Sequence, residues 1–540
     1  MTVIMINNII KRTGLISVAV IGLSACTGNF LNINTNPYEV SKDEMSTNGY
    51  NVGAAISAMC GTVISTDVNT AQFTDCLLGG PMGGYYSTTG AFDRTIDNFN
   101  PTDDWTNVFL ASDRVIPTLF SNFVELQDLT DDEVVLAIAN VIKVAVMHRV
   151  TDTYGPIPYS KIGQEGMLAV PYDSQQEVYN KMFEELDAAI NVFTENHGRN
   201  ISANADPVYG GNVDKWCKFA NSLKLRLAMR IVYADRATAQ AKAEEAVSHS
   251  IGVFTSNDDN ASLKPIAFGE KGNPIYTAVK YNQVQGSNTG GDTHVAADIT
   301  SYMNAYNDPR RPLYFISSEF ENVEYVGVMV SAIKPVLSKD GRKYSGVNVS
   351  PTDPLMWMNA AEVAFLKAEA KAVFGFNMGG EAKDFYNEGI RLSFEQWGVT
   401  GSYDSYVNNE TKVSVTYTDP IGVNTRTEVL TNLCVKWNDT ASPEEMQERI
   451  LIQKWIANFH LGNEAWADHR RTGYPKFFPA SNEGNKSNGI VKNELGARRM
   501  PYPQNERTTN ADNYQKAVSE LLKGADNMAT RVWWDCKPEK

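Results

Sequence analysis

Cys26 is the residue whose neighbours most clearly prescribe a covalent modification. In Leu23-Ser24-Ala25-Cys26, small side chains precede a thiol. A peptidase cutting before Cys26 needs the first feature, and an acyltransferase loading its sulfur and new amino terminus needs the second; the pattern is that of a lipobox. Upstream, Lys11 and Arg12 form a positive end. Residues 15–23 form an apolar core of about nine residues, signal-peptide length and well short of the ~20 of a membrane span. Met5 would serve as well as Met1 as the start. The expected division is a signal peptide over 1–25, a lipidated tether and docking segment over 26–45, and a single domain over 46–540.

Other residue types with catalytic potential do not assemble into a reactive set. The adjacent pairs Asp103-Asp104, Glu184-Glu185, Glu244-Glu245 and Glu444-Glu445 fall at helix starts or on helical faces, where solvent and the helix dipole account for them. Glycoside hydrolysis needs two carboxylates at a set distance in space, which adjacency in the chain does not supply. His460 and His469, with Glu464 between them, lack the spacing of a helical zinc-protease site. Neither a Gly-x-Ser-x-Gly nucleophile turn nor a phosphate loop is found. Asn257-Asp258-Asp259-Asn260 lacks the glycine and terminal glutamate of a calcium-binding hand and reads as a solvated loop. Beyond Cys26, Cys60, Cys76, Cys217, Cys434 and Cys536 show no CxxC pair or metal-ligand spacing. Cys60 and Cys76 could bridge after export, but buried small hydrophobes suit a chain of this size better. No cofactor, no metal and no catalysis is expected.

The elements that must position everything else are mostly helices. Thr130-Asp131-Asp132-Glu133 and Ser174-Gln175-Gln176-Glu177 have capping-box spacing, and Ser442-Pro443-Glu444-Glu445 adds proline at the first helical position. Apolar stripes at helical spacing follow each: Val135, Ile138, Ile142 and Val146; Tyr179, Met182, Phe183 and Leu186; Ile450, Leu451, Trp455 and Phe459. Asp214 is placed to cap a helix with the stripe Trp216, Phe219, Leu223 and Leu227, and helices resume at Asn359 and after Glu381. Glycine density makes residues 77–90 a loop. Short elements are expected between 251 and 350, with a strand over 326–332, and alternation at 413–417 suggests a hairpin. A last helix covers about 514–522. No apolar run beyond the signal approaches membrane-spanning length. Paired amphipathic helices without a clean period describe a diverged helical-repeat scaffold.

Composition agrees with a globular body: 43% of residues are apolar and 21% charged, too apolar for a disordered chain. The net charge of −15 becomes −17 once Lys11 and Arg12 leave, which excludes the basic stripes that nucleic-acid binding requires.

Seven further stretches identify a family when taken in order. They are Asp152-Thr153-Tyr154-Gly155-Pro156-Ile157-Pro158-Tyr159, the run from Lys215 to Arg230, Asn307-Asp308-Pro309-Arg310, the run from Asn359 to Ala370, Gln453-Lys454-Trp455-Ile456, Asp468-His469-Arg470-Arg471-Thr472-Gly473-Tyr474-Pro475, and Arg498-Arg499-Met500-Pro501-Tyr502-Pro503. With the lipobox and Asn34-Thr35-Asn36-Pro37, the chain resembles the SusD/RagB family of outer-membrane nutrient-binding lipoproteins, in particular the branch with the Arg-Arg-Thr-Gly-Tyr-Pro signature. The resemblance implies a mainly α fold with tetratricopeptide-type helix pairs, a few short strands and a loop-rich ligand face. It implies a surface location, a SusC-like TonB-dependent transporter as partner, and an oligosaccharide or, in some members, a peptide as ligand. Arg226, Arg230, Glu362 and Glu369 are then architectural, pairing between helices. The alternative function is a surface lipoprotein glycoside hydrolase.

A sugar offers an apolar C–H face and an equator of hydroxyls, so its binder offers flat rings and amides. Such rings are sought in loops, where core packing does not explain them. Tyr85 and Tyr86 in the glycine-rich stretch fit this best. Phe92 follows; Trp105 and Trp357 read as core. A second region, around Tyr276, Tyr281 and Asn282, has rings and polar groups without helical spacing.

Overall fold

Most scaffold helices start at a side chain that caps them. The computed structural model describes residues 49–538, apart from 91–93, 111–114, 165, 168, 266, 269–271 and 335–338. Cys26, the Asn34-Thr35-Asn36-Pro37 stretch and Phe92 lie outside the described residues. Helix α1 (Glu133–Tyr154) begins at Asp132, whose carboxylate accepts the Val134 N–H, so the cap lies two residues beyond the expected Thr130. Helix α2 (Gln175–Glu195) has the expected reciprocal box, Ser174 with Glu177. Helix α3 (Val213–Arg230) is capped by Asn212 instead of Asp214, because Asp214 turns back to accept from His197 and the Gly198 N–H. Helix α4 (Arg236–Ser248) is capped by Asp235, α5 (Ala360–Phe374) by Asn359 and α7 (Pro443–Ala457) by Ser442. Helices α6 (Ala382–Gln396) and α8 (Gly462–Thr472) complete the set.

These helices pack in sequence-adjacent pairs, α1 with α2, α3 with α4 and α5 with α6; α2 stacks on α3, and α5 on α7. The mainly α class with tetratricopeptide-like pairing is what is observed. Helix α1 is 22 residues long and apolar enough by length and composition to cross a membrane, contrary to expectation, but 83% of its apolar window is buried inside the protein. It is a core helix whose neighbours cover it on all sides. Residues Val52–Lys540 form one compact unit.

Strand content is small: among the described residues, three antiparallel two-stranded ribbons. β1 (Tyr86–Thr88) pairs with β3 (Thr293–Val295), β2 (Ala261–Leu263) with β6 (Leu355–Met358), and β4 (Phe315–Ile316) with β5 (Gly346–Val347). Trp357 is buried in β6. The strand expected over 326–332 shrinks to a bridge between Val328 and Ala296. The hairpin at 413–417 survives as a Tyr417–Arg426 bridge and hydrogen bonds between Val415 and Leu430 and Thr431.

The glycine-rich stretch corrects the sequence reading. Helical structure runs from Val68–Ala71 through a π-helical Gln72–Gly79 into Gly80–Met82. Its glycines allow close contact with α8: a Cβ on Gly79 would stand 2.6 Å from the Asn463 amide, one on Gly83 2.5 Å from the Gly462 carbonyl, and one on Gly462 2.3 Å from the Gly79 carbonyl carbon. Here glycine density marks backbone approach, not a loop.

A buried ionic network fastens four helices. Arg226 of α3 makes a bidentate pair with Glu362 of α5 at 2.8 and 2.7 Å, and Arg230 reaches Glu464 of α8 at 2.5 Å. Lys454 of α7 meets Asp468 at 2.6 Å, and Arg471 holds Glu369 at 2.7 and 2.8 Å. Burial opposes ionisation of Glu464, but Arg230, Arg226 and Lys454 outweigh it and hold the carboxyl well below the usual carboxylate range. The architectural role expected of Arg226, Arg230, Glu362 and Glu369 is the one observed.

Candidate functional site

A cleft of about 270 Å³ opens where α6 ends and where α7 turns into α8. Ile64, Ile275, Val349, Pro354, Leu355, Met356 and Ala457 make its apolar walls. Trp397, the residue that closes α6, stands half-buried at its edge, with its ring edge-on to Tyr314 at 4.5 Å. Phe459 stacks on the same Tyr314 at 4.5 Å, nearly parallel, and the Tyr314 hydroxyl donates to the Ile456 carbonyl. Tyr314 therefore fixes both rings.

His460 is the other aromatic wall. Its φ of +82° is left-handed, a region that few non-glycine residues occupy and histidine tolerates better than most. Tyr86 holds its Nδ1 through the phenol hydroxyl, and the Phe459 ring lies 4.3 Å away. Burial pulls the imidazole down to about 4, so the ring is neutral at neutral pH. Nε2 makes no hydrogen bond among the described residues. The Trp397 Nε1–H is buried without a hydrogen-bond partner, and the Gln396 amide makes no hydrogen bond among the described residues. Three polar groups beside an apolar cleft thus have no hydrogen-bond partner among the described residues.

The remaining polar residues of the cleft are committed to the fold. Asn359 caps α5 and bonds Asn458. Asn273 caps the short helix Pro274–Val279 and donates to the Asp353 carbonyl. Asp75 pairs with Arg149 at 2.6 Å and accepts from Thr74. Asp353, exposed at the mouth, accepts the Ser350 N–H.

Tyr85 and Tyr86 do not stand in a free loop. They are 0% and 1% exposed. Tyr85 stacks on Trp455 and donates to its carbonyl at 2.5 Å. Tyr86 approaches the cleft only through His460. The glycines beside them predict a loop with exposed rings; the helical run to which Gly79 and Gly80 belong instead packs the tyrosines into the core. Tyr276 is half-buried with Lys280 above its ring at 4.0 Å. Tyr281 is 58% exposed. Asn282 donates to Asp292 at 2.8 Å, and the Thr89 N–H donates to the Asp292 carbonyl, so the chain leading toward Phe92 departs beside Asn282. Trp105 is half-buried, edge-on to Phe73. The Asp259 carboxylate accepts from Lys218 and from the Thr255 and Ser256 N–H groups, making it the keystone of a turn. Cys60 and Cys76 are free and buried.

Sequence reading missed Trp397, Gln396 and Phe459. Phe459 completes a helical stripe, so periodicity assigns it to packing, and Trp397, at the end of a helix, belongs to no stripe. The usable signal was Trp397-Gly398, a large ring at a helix end beside a glycine.

A family model described as SusD-like, "Susd and RagB outer membrane lipoprotein", matches residues 32–535. Among solved structures, a SusD homologue from Bacteroides uniformis is 56% identical with a TM-score of 0.86, covering 90% of this chain and 100% of that one. A SusD homologue from Bacteroides ovatus is 38% identical (TM-score 0.81; 91% and 100% covered). A chitin-binding SusD homologue from Flavobacterium johnsoniae is 35% identical (TM-score 0.82; 90% and 99% covered). No curated protein matches the chain.

Proposed function

Because the chain belongs to the SusD/RagB family of outer-membrane lipoproteins, we propose that it is anchored through Cys26 at the cell surface, holds an oligosaccharide in the cleft at Trp397, and passes it to a SusC-like TonB-dependent transporter. One observation carries the reading: an indole with an unpaired N–H stands beside Phe459 and a neutral His460 over apolar walls. Rings accept the C–H face of a pyranose, while the Trp397 N–H, the Gln396 amide and His460 Nε2 meet its hydroxyls. With the Tyr86 hydroxyl as donor to Nδ1, the imidazole proton would lie on Nε2 and make it a third donor; with Nδ1–H as donor, Nε2 would accept instead. The chitin-binding homologue supports a glycan over a peptide as ligand. Tyr281 and Asn282, with Phe92 beyond the described residues, are proposed as an outlying platform for a longer chain, and Tyr276 as their support. Ile275 lies in the cleft and Tyr281 six residues further on, roughly 9 Å along a helical path.

Binding without chemistry is part of the proposal. Of the two carboxylates that line the cleft among the described residues, Asp75 is paired with Arg149, which leaves Asp353 without a second free carboxylate for the two-carboxylate route of hydrolysis.

Calorimetry of the purified protein against neutral and charged oligosaccharides tests the site. Trp397→Ala is expected to weaken the best ligand at least tenfold, about 1.4 kcal/mol, with its circular dichroism unchanged. Equal affinity in that variant removes the cleft from the reading, and new reducing ends in the mixture favour the hydrolase.

A further inference from the structure

We infer that the cleft at Trp397 selects uncharged sugars and rejects glycans bearing carboxylate or sulfate groups. This rests on the reading that the cleft is the glycan site. Among the described residues, none that lines the cleft is Lys or Arg, and two are aspartates. His460 is held by Tyr86 in a buried setting that keeps it neutral, so it supplies no positive charge. Five of the described cations nearby already have partners, and Lys264, just after β2, is exposed to solvent. Arg149 is bound to Asp75 and to the Val63 carbonyl. Arg310, behind Tyr314, is bound to Asp308 and Ser393. Arg226 and Lys454, behind the Asn359 cap, belong to the buried network. Lys280, on the helix that supplies Ile275, lies on the Tyr276 ring and donates to its hydroxyl.

An anionic sugar entering this cleft would lose water from its charge and meet no counter-charge among the described lining residues, while the Asp353 carboxylate waits at the mouth. The whole molecule, at −15, adds a repulsive field on approach. Every group available to the ligand suits a neutral oxygen: the indole N–H, the amide of Gln396 and the imidazole Nε2. None forms the paired, charge-assisted contact by which carboxylates and sulfates are recognised. Like-charge juxtaposition is the common means by which a site excludes a wrong partner.

The test is calorimetry at pH 7 with malto-, cello- and chito-oligosaccharides, and with oligogalacturonate beside its methyl ester, which keeps the backbone and removes the charge. A neutral ligand is expected to bind, with each anionic form at least tenfold weaker than its neutral counterpart. Asp353→Asn should narrow that ratio, and added salt should narrow it in the native protein. An anionic ligand binding as tightly as its neutral form, and losing affinity in Trp397→Ala, overturns the charge selection and leaves the cleft as the site. Binding that Trp397→Ala and Gln396→Ala both leave intact, or no binding by any member, overturns the site reading itself and this inference with it.

Discussion

Gly462→Ala pits two effects of opposite sign against each other. In an exposed helix interior, alanine in place of glycine gains about 1 kcal/mol. At Gly462 the added Cβ would stand 2.3 Å from the Gly79 carbonyl carbon, 2.4 Å from its oxygen and 2.6 Å from the Gly80 nitrogen. All three are backbone atoms, so no side-chain rotation relieves the clash. The helical run through Gly79 and helix α8 must separate by about 1 Å to reach ordinary contact, and overpacking of this kind costs about 1–3 kcal/mol. Asn463 feels the same shift, because its amide donates to the Thr74 carbonyl at 2.9 Å. Gly462 is the first residue of its helix, where the propensity gain is smaller than in the interior, so the clash wins. Urea unfolding should show a lower midpoint with an unchanged slope, corresponding to about 1–3 kcal/mol. Gly401→Ala, where a Cβ meets open space, should be close to neutral. A Gly462→Ala protein as stable as the native one refutes the account of the glycines as spacers.

Glu362→Ala strands Arg226, itself 5% exposed, without its bidentate partner; chemical denaturation should register a loss of about 3–5 kcal/mol, and replacing Arg226 and Glu362 together by methionine should restore most of it. Asp298 is buried, and desolvation raises its carboxyl to about 7 although the Phe478 N–H donates to it. Between its ordinary value near 4 and this folded value, the native state binds the extra proton, so native stability falls as pH rises through that window. Asp298→Asn keeps the acceptor oxygen, and its stability relative to the native protein should therefore rise from pH 4 to pH 7 in parallel thermal melts.

The scaffold was legible because its signals are local. Ser174 with Glu177, and the stripes on α2, α3 and α7, need only residues within a few turns. That Arg226 and Arg230 pair between helices follows from the family resemblance, whereas Glu464 as the partner of Arg230 is seen only in the structure. The site was not legible, because it is made by contacts distant in sequence. Tyr86 meets His460 across 374 positions, and Trp397 and Phe459 are brought together by Tyr314. Glycine density failed as a loop signal for the same reason: the close neighbours of Gly79 and Gly83 are at 462 and 463. Capping was misplaced by two residues at Thr130 and Asp214, where more than one side chain could accept the free N–H groups and tertiary partners decided which did.

The segment from Trp455 to Arg471 joins scaffold and site. Trp455 receives Tyr85; Phe459 and His460 form the cleft wall; Gly462 and Asn463 touch the run through Gly79; Glu464, Asp468 and Arg471 enter the ionic network. Only residues 458–461 separate α7 from α8, and within this short link His460 takes the left-handed conformation that glycine would ordinarily supply. The strain is tolerable because Tyr86 and Phe459 grip the ring on two sides. A ring held this way loses little freedom when a ligand arrives, and the same applies to Trp397 and Phe459 against Tyr314. Weak contacts with a flexible sugar can then add up to useful affinity, because most of the ordering on the protein side is already done by the fold.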